Sequence, residues 1–180
     1  FLTRLGEEIE WGAIKEARDG LLYCGRWYEQ AEDYSVTVGM KQYAAKLSTV
    51  PITRERRREE ESRLSGYEEK ALRGVGGQAQ WLGRMGNPRL GFRASRLAGA
   101  YKDPKVKHLK EGNAILRLAK KLGHEKLVFR GDIKMEDCCV LAVADAAFDN
   151  LEESGSQAGK KLFLADPRIL EGKNTLHAVS

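Results

Sequence analysis

The sequence predicts an α+β fold in which a strand pair, three consecutive helices and a second group of strands follow one another. Short runs rich in aromatic and β-branched residues lie before residue 40 and after residue 126, as strands require. Between them, apolar residues recur at helical spacing, with recognisable start and stop signals. With 180 residues and 42% hydrophobic content, the chain can bury one moderate core or two small ones.

The first elements are a strand pair and a short helix. The aromatic run at 21–30 and the β-branched run at 35–38 are joined by a polar link, which predicts one strand on each side of a hairpin. Apolar residues at i, i+3, i+4 and i+7 from Met40 predict an amphipathic helix that ends before Pro51. The segment 53–64 contains a run of eight charged residues and is predicted to be a solvated linker or an exposed helical turn.

Three helices are predicted next, at 66–85, 88–100 and 104–122, joined by short turns as in a helical bundle. Ser65 and Glu68 have capping-box spacing. Asn87-Pro88 and Asp103-Pro104 each place proline after an oxygen-bearing cap. Glycines at 74, 76 and 77 weaken the first helix, and close packing against a neighbour would explain them.

Short apolar runs follow at 126–130, 138–144, 160–164 and 175–179, separated by polar turns. They predict a small antiparallel sheet and a second domain that begins near residue 126. No helix is predicted to cover this sheet, so one of its faces would lack a partner layer. The sequence therefore predicts an incomplete domain.

Charge is distributed unevenly along the chain. Residues 51–130 carry 20 basic and 9 acidic side chains, whereas the segments before and after them carry an excess of acid. A basic segment of this kind indicates a surface for a polyanion such as nucleic acid, with a merely soluble basic surface as the alternative. Three cysteines without metal-ligand spacing and the lack of a long apolar stretch predict a soluble, intracellular protein without a membrane segment.

The helices carry the candidate nucleic-acid contacts. Arg89, Arg93 and Arg96 fall at i, i+4 and i+7 and form one stripe of their helix, so a duplex could be held by its phosphates without base readout. Trp81 and Phe92 could add base stacking, although aromatic residues at helical spacing are more often core residues. The full set of candidate contacts is Arg84, Arg89, Arg93, Arg96, Lys105, Lys107, Lys110, Arg117, Lys120 and Lys121.

Asp145 is the candidate catalytic residue. It follows the apolar run 138–144, so a strand would deliver a carboxylate to its end, where two-metal nucleases hold Mg²⁺. A turn or cap aspartate is the alternative interpretation.

The order of several motifs resembles the copia-type retrotransposon polyprotein. The motifs are QAQWLGR at 78–84, NPRLGFRASRL at 87–97, LKEGN at 109–113, ADAAFDN at 144–150 and GSQAG at 155–159. LYCGR at 22–26 is similar to the strand that follows the polymerase active site in that family. The resemblance covers residues 21–180 in the family's order.

The resemblance implies three functional regions. Residues 1–52 would be the end of the reverse-transcriptase palm, 53–64 a charged linker, 65–125 the helical thumb and connection that grips template and primer, and 126–180 the start of an RNase H-like domain. Asp145 would be a metal carboxylate of the RNase H, and the parent enzyme would use Mg²⁺. No cofactor is expected for this chain alone.

The resemblance also implies that the chain is an internal piece of a polyprotein. The family's Tyr-X-Asp-Asp motif is expected upstream, and the remaining nuclease carboxylates downstream. Arg89 and Ala147 stand where the family usually has aspartate and serine, which indicates divergence or a decaying copy. Two hypotheses follow: a fragment of an RNA-directed DNA polymerase/RNase H that binds an RNA/DNA hybrid or duplex and the rest of the polyprotein, or a non-enzymatic adaptor that binds nucleic acid or protein.

Overall fold

The computed structural model describes residues 18–132, 135–151, 155–172 and 176–179. In this part of the chain, strands and helices combine in an α+β fold with antiparallel sheets, which confirms the predicted class. The strands are β1 Leu21–Tyr23, β2 Arg26–Gln30, β3 Val36–Gly39, β4 Lys126–Phe129, β5 Cys139–Leu151, β6 Gly155–Ala165 and β7 Leu176–Val179. The helices are α1 Lys41–Ala45, α2 Gly66–Met85, α3 Gly91–Gly99 and α4 Val106–Lys121.

The run at 21–30 forms a hairpin and not the single strand that was predicted. β1 and β2 pair antiparallel with Tyr23 opposite Arg26, so only two residues form the turn. Cys24 and Gly25 have φ angles of 48° and 75°, the pair of positive values that a two-residue type I′ turn needs. A cysteine at the first of these positions gave no turn signal in the sequence.

The predicted hairpin across residues 31–34 is confirmed as the connection between β2 and β3. Asp33 Oδ1 accepts hydrogen bonds from the Ser35 backbone N–H at 2.9 Å and from its hydroxyl at 2.6 Å. These bonds hold Tyr34 at a φ of 63°, in the left-handed region.

β4 lies in the first sheet, and not with the strands that follow it. It pairs antiparallel with β3, with Val38 opposite Leu127, and completes a sheet of order β1-β2-β3-β4. The assignment of 126–130 to the second sheet was therefore wrong. The chain returns from α4 to the first sheet because the edge of β3 offers unpaired backbone groups, and strand spacing alone cannot show this long-range pairing. The domain boundary near 126 stays a prediction.

The predicted helix over 40–50 is only five residues long. α1 ends at Ala45, although Leu47 is still buried in the core. Pro51 disfavours helical backbone at Val50. Val50 instead exchanges two hydrogen bonds with the Asn113 side chain, in which its N–H donates to Oδ1 and its carbonyl accepts from Nδ2, both at 2.8 Å.

The three larger helices confirm the predicted helical region. α2 begins after a capping box in which the Ser65 N–H donates to Glu68 Oε2 at 2.8 Å and the Glu68 N–H to Ser65 Oγ at 3.4 Å. Asn87 caps a 3₁₀ turn at Pro88–Leu90 that leads into α3. α4 begins two residues later than predicted, and His108 Nδ1, not Asp103, accepts the hydrogen bond of the Lys105 N–H.

Two glycines let these helices approach closely. A Cβ on Gly83 would lie 3.1 Å from the backbone of Gly91, where α2 meets the start of α3. A Cβ on Gly112 would lie 2.9 Å from a methyl group of Val75. Of the three glycines whose packing was in question, Gly76 faces the Tyr101 hydroxyl, whereas Gly74 and Gly77 are open.

The charged segment 53–64, which we call the strap, is docked on the helices and not merely solvated. The predicted helical turn is present at Arg56–Arg58. The Leu64 N–H then donates to the Pro104 carbonyl at 2.9 Å, and the Val106 N–H donates to the Ser62 carbonyl at 3.0 Å. The strap therefore runs beside the N-terminal end of α4.

One hydrophobic core is shared by α1, the short helix that follows β3, and the three larger helices. α1 and the residues on either side of it contribute Met40, Ala44 and Leu47, and Leu64 comes from the strap. The deepest side chains of the helical region are Leu72, Leu90, Leu97, Val106, Leu109, Ile115 and Leu116. Residues on both sides of the strap are thus packed together.

β5, β6 and β7 form the second sheet, in which β5 and β6 are a long antiparallel hairpin. Apolar side chains on both faces are exposed: Val140 and Leu162 on one face, and Val143 on the other, are each more than half accessible. Of the predicted strand at 175–179, residues 176–179 form β7, and residue 175 lies outside the described residues. Residues 1–17 of the predicted palm region also lie outside them. Among the helices in the described ranges, none is both long and apolar enough to cross a membrane.

Candidate nucleic-acid interface

The ten predicted cationic contacts fall into two groups that the sequence did not distinguish. All ten side chains are exposed or partly exposed on α2, α3, α4 and the adjoining turns. Half of them have an acidic partner: Arg89, Arg96, Lys105, Lys107 and Lys110. The other half form no ion pair within the described ranges: Arg84, Arg93, Arg117, Lys120 and Lys121.

The strap supplies the partners at the start of α4. Lys105 Nζ lies 3.2 Å from Glu61 Oε2, and Lys107 Nζ lies 3.2 Å from Glu61 Oε1. Lys110 pairs with Glu60. The hydrogen bonds from Lys105 and then Lys107 lower the pKa of Glu61, and Glu61 in turn raises the pKa of Lys105. These three lysines are therefore already opposite negative charge.

Two ion pairs mark the seam between α3 and α4. Arg96 Nε donates to Glu111 Oε1 at 3.0 Å, and Arg89 Nη1 donates to Glu125 Oε1 at 2.7 Å. The order of these partners shows that α3 and α4 run antiparallel. Arg93 is one turn from both arginines, so it lies on the same side of α3 between the two pairs.

Four unpaired cations form a surface that we call the basic ledge: Arg93, Arg117, Lys120 and Lys121. The last three are exposed side chains at i, i+3 and i+4 in the last turns of α4. The arrangement offers four positive charges that form no ion pair in the described part of the chain, on two rigid helices.

The two aromatic candidates have different environments. Trp81 is partly buried and packs against the hydrophobic core, so for this residue the core alternative is confirmed. Phe92 is 51% exposed, on the helix that carries Arg93 and Arg96. An exposed phenylalanine beside arginines can stack on an unpaired base or a terminal base pair.

Arg56 and Glu68 hold the strap to the start of α2. The Arg56 guanidinium donates to both carboxylate oxygens of Glu68, at 3.0 and 2.9 Å, and to the Arg63 carbonyl at 2.7 Å. These hydrogen bonds lower the pKa of Glu68 to about 2, against the opposing effect of partial burial. The pair thus fixes both the α2 cap and the strap.

Asp145 lies in the middle of β5, not at its end as predicted, because the strand continues to Leu151. Its side chain is exposed, and Gly159 is its partner on β6. Among the described residues no three His, Cys, Asp or Glu side chains are grouped as a metal site needs. The side chains of Asp149 and Asn150, from the same motif, lie outside the described residues. Within the described ranges Asp145 therefore belongs to no group of three such side chains.

Sequence reasoning missed the acidic partners. Between Arg84 and Lys121 only Asp103 and Glu111 are acidic, but Glu60 and Glu61 come from the preceding strap. The available signal was the glutamate run of the strap, which is separated from the lysine-rich start of α4 by α2 and α3. Asn113 also gave a signal, since a buried amide in an apolar stripe needs hydrogen-bond partners.

Comparisons of the chain with protein-family models, with curated proteins and with solved structures found no match.

Proposed function

We propose that this chain is the part of a copia-type RNA-directed DNA polymerase/RNase H that grips the template–primer duplex. The observation that carries the proposal is the basic ledge, where four unpaired cations and the exposed Phe92 lie on two packed helices. The motifs at 78–84, 87–97 and 109–113, from which part of the resemblance comes, lie on α2, on α3 with the turn before it, and on α4. Phosphates would be held by the ledge, and the chain would contribute binding without a complete active site.

The packing of α3 supports a role in holding the duplex, because it keeps the helix that carries Arg93 in a fixed position. Leu90, Ala94 and Leu97 bury one side of α3, and the adjacent side carries Arg93 and Arg96. The segment around α1 shares this core, so the duplex would be fixed relative to that part of the proposed palm segment. A rigid support reduces the entropy lost when the duplex binds.

Asp145 is proposed as a metal-binding carboxylate of the RNase H in the parent protein, where Mg²⁺ would be the cofactor. Its exposed position in a long apolar strand leaves the carboxylate accessible to further ligands. The parent's own polymerase and nuclease reactions are part of the same proposal.

A second candidate is a transposon-derived adaptor, or a decayed remnant, that binds nucleic acid or protein without catalysis. The exposed Val140, Val143 and Leu162 of the second sheet favour it, since exposed apolar side chains suit a protein partner. Reading the coding sequence on both sides separates the candidates. An in-frame Tyr-X-Asp-Asp upstream and further carboxylates downstream favour the enzyme fragment.

The proposed binding is tested with a labelled RNA/DNA hybrid by fluorescence anisotropy. One variant combines Arg93→Gln, Arg117→Gln and Lys121→Gln. Its control changes the same net charge at exposed cations of the strap and of the start of α2, with Arg54→Gln, Arg57→Gln and Lys70→Gln.

Each lost phosphate contact weakens binding about eightfold at 0.1 M salt, because the counter-ion term contributes about 0.9 in log K per contact. The ledge variant should therefore bind several hundredfold more weakly, and the control much less so. Equal losses in both variants would reject the ledge as the interface.

A further inference from the structure

The carboxylates of the strap occupy the positions that phosphates would take on the first turns of α4. We call Lys105, Lys107 and Lys110 the lysine row. Glu61 lies within 3.2 Å of the first two ammonium groups, and Glu60 pairs with the third. The lysine side chains are still 29–37% exposed, so a ligand can reach them from solvent.

The strap's backbone holds these carboxylates in place. The Lys107 N–H donates to the Glu60 carbonyl and the Val106 N–H to the Ser62 carbonyl, each at 3.0 Å. At its other end the strap is fixed by Arg56 to Glu68. Because these contacts do not involve the carboxylates of Glu60 and Glu61, removing the two charges leaves the strap docked.

The lysine row and three of the four cations of the basic ledge lie on α4 or at its N-cap. α4 carries the row in its first turns and Arg117, Lys120 and Lys121 in its last turns. Without the strap's charges, α4 would present basic groups along most of its length. With them, the unpaired charge is confined to the end that faces Arg93.

We infer that the strap is an electrostatic competitor of nucleic acid, which limits the duplex footprint to the basic ledge. A duplex gains the lysine row only by displacing the side chains of Glu60 and Glu61. This inference rests on the proposed function, since it concerns the same binding surface. When a carboxylate is displaced, one ion pair within the protein is exchanged for one phosphate contact. The net gain in binding free energy in the natural chain is therefore small.

The test uses the full chain with Glu60→Gln and Glu61→Gln together. The matched control is Glu32→Gln with Glu55→Gln, which changes the net charge equally at exposed carboxylates that make no ion pair in the described part of the chain. Binding of an RNA/DNA hybrid is measured by anisotropy over a range of salt concentrations. Thermal melting of each variant checks that it is folded.

The strap variant should bind at least tenfold more tightly than the control. Its plot of log K against log salt should be steeper by about 0.9 for each lysine that gains a phosphate. The increase should reach up to about 1.8, because Lys105 keeps Asp103 as an ion-pair partner at 3.5 Å. Adding Lys110→Gln should remove part of this gain, whereas the same substitution in the natural chain should change affinity less than twofold.

The outcomes separate the two proposals. If the natural chain binds and the strap variant matches its control in affinity and slope, the competitor inference is overturned while the proposed function stands. If the natural chain fails to bind the hybrid even at low salt, the proposed function fails and the inference fails with it. A strap variant that melts earlier than its control is replaced by Glu61→Gln alone, compared with Glu55→Gln, and the same criterion applies.

Discussion

Replacing Asn113 tests how the chain before the strap is tied to α4. Its side chain makes two 2.8 Å hydrogen bonds to the backbone of Val50, and the residue is only 4% exposed. Asn113→Ala removes both bonds and leaves the Val50 N–H and carbonyl without these partners. Each such group costs about 1–3 kcal/mol, and alanine returns about 0.5 kcal/mol of helix propensity. For the two groups together, we expect a net loss of about 1.5–5.5 kcal/mol in the free energy of unfolding.

The assay is urea unfolding followed by far-ultraviolet circular dichroism. Lys120→Ala, at an exposed position of the same helix, is the control and should change stability by less than about 0.5 kcal/mol. Asn113→Asp adds a second check, because a carboxylate can accept from the Val50 N–H but repels its carbonyl. At pH 7 it should cost at least as much as alanine.

Acid should then return part of the stability lost in Asn113→Asp, measured relative to the natural chain at the same pH, since a protonated carboxyl can donate to the Val50 carbonyl. A loss below about 0.5 kcal/mol in Asn113→Ala, or no relative recovery of Asn113→Asp in acid, would refute the reasoning.

Two further predictions concern helix packing and acid stability. Gly83→Ala should destabilise the chain, because its Cβ would lie 3.1 Å from the backbone of Gly91. Gly77→Ala in the same helix should stabilise the chain by about 0.5–1 kcal/mol. Urea titration compares the two variants, and the opposite order of stability would contradict the packing. Because the pKa of Glu68 is lowered, the ionised carboxylate stabilises the fold above pH 4.5, which is the ordinary pKa of a glutamate. This contribution is lost as the pH falls towards about 2. When the free energy of unfolding is measured from pH 5 to 2, Glu68→Gln should lose less stability than the natural chain, by up to about 3 kcal/mol. Parallel curves of unfolding free energy against pH for the two proteins would exclude the contribution of the Arg56 pair.

Local signals predicted the helical region well. The capping box at Ser65 fixed the start of α2, and Asn87-Pro88 fixed the turn before α3, because a cap is a contact between residues that are close in sequence. β4 was placed in the wrong sheet, since pairing with β3 depends on a partner far away along the chain. α1 was predicted too long because Asn113, also distant in sequence, competes for the backbone of Val50.

The candidate site could be predicted only as a set of charges. The residue types and the stripe of α3 are visible in the sequence, but the division into paired and unpaired cations is not. Glu60 and Glu61 neutralise three lysines from outside the helical segment, and Glu125 reaches Arg89 from beyond α4. The exposure of Phe92 likewise depended on how α3 is rotated against its neighbours.

The central claim is that unpaired cations of the helical region hold a nucleic-acid backbone. The most direct measurement is the slope of log K against log salt for the natural chain and an RNA/DNA hybrid. The four cations of the basic ledge, with about 0.9 per phosphate contact, predict a slope of about −3.6. A slope smaller in magnitude than about 1 would contradict the claim.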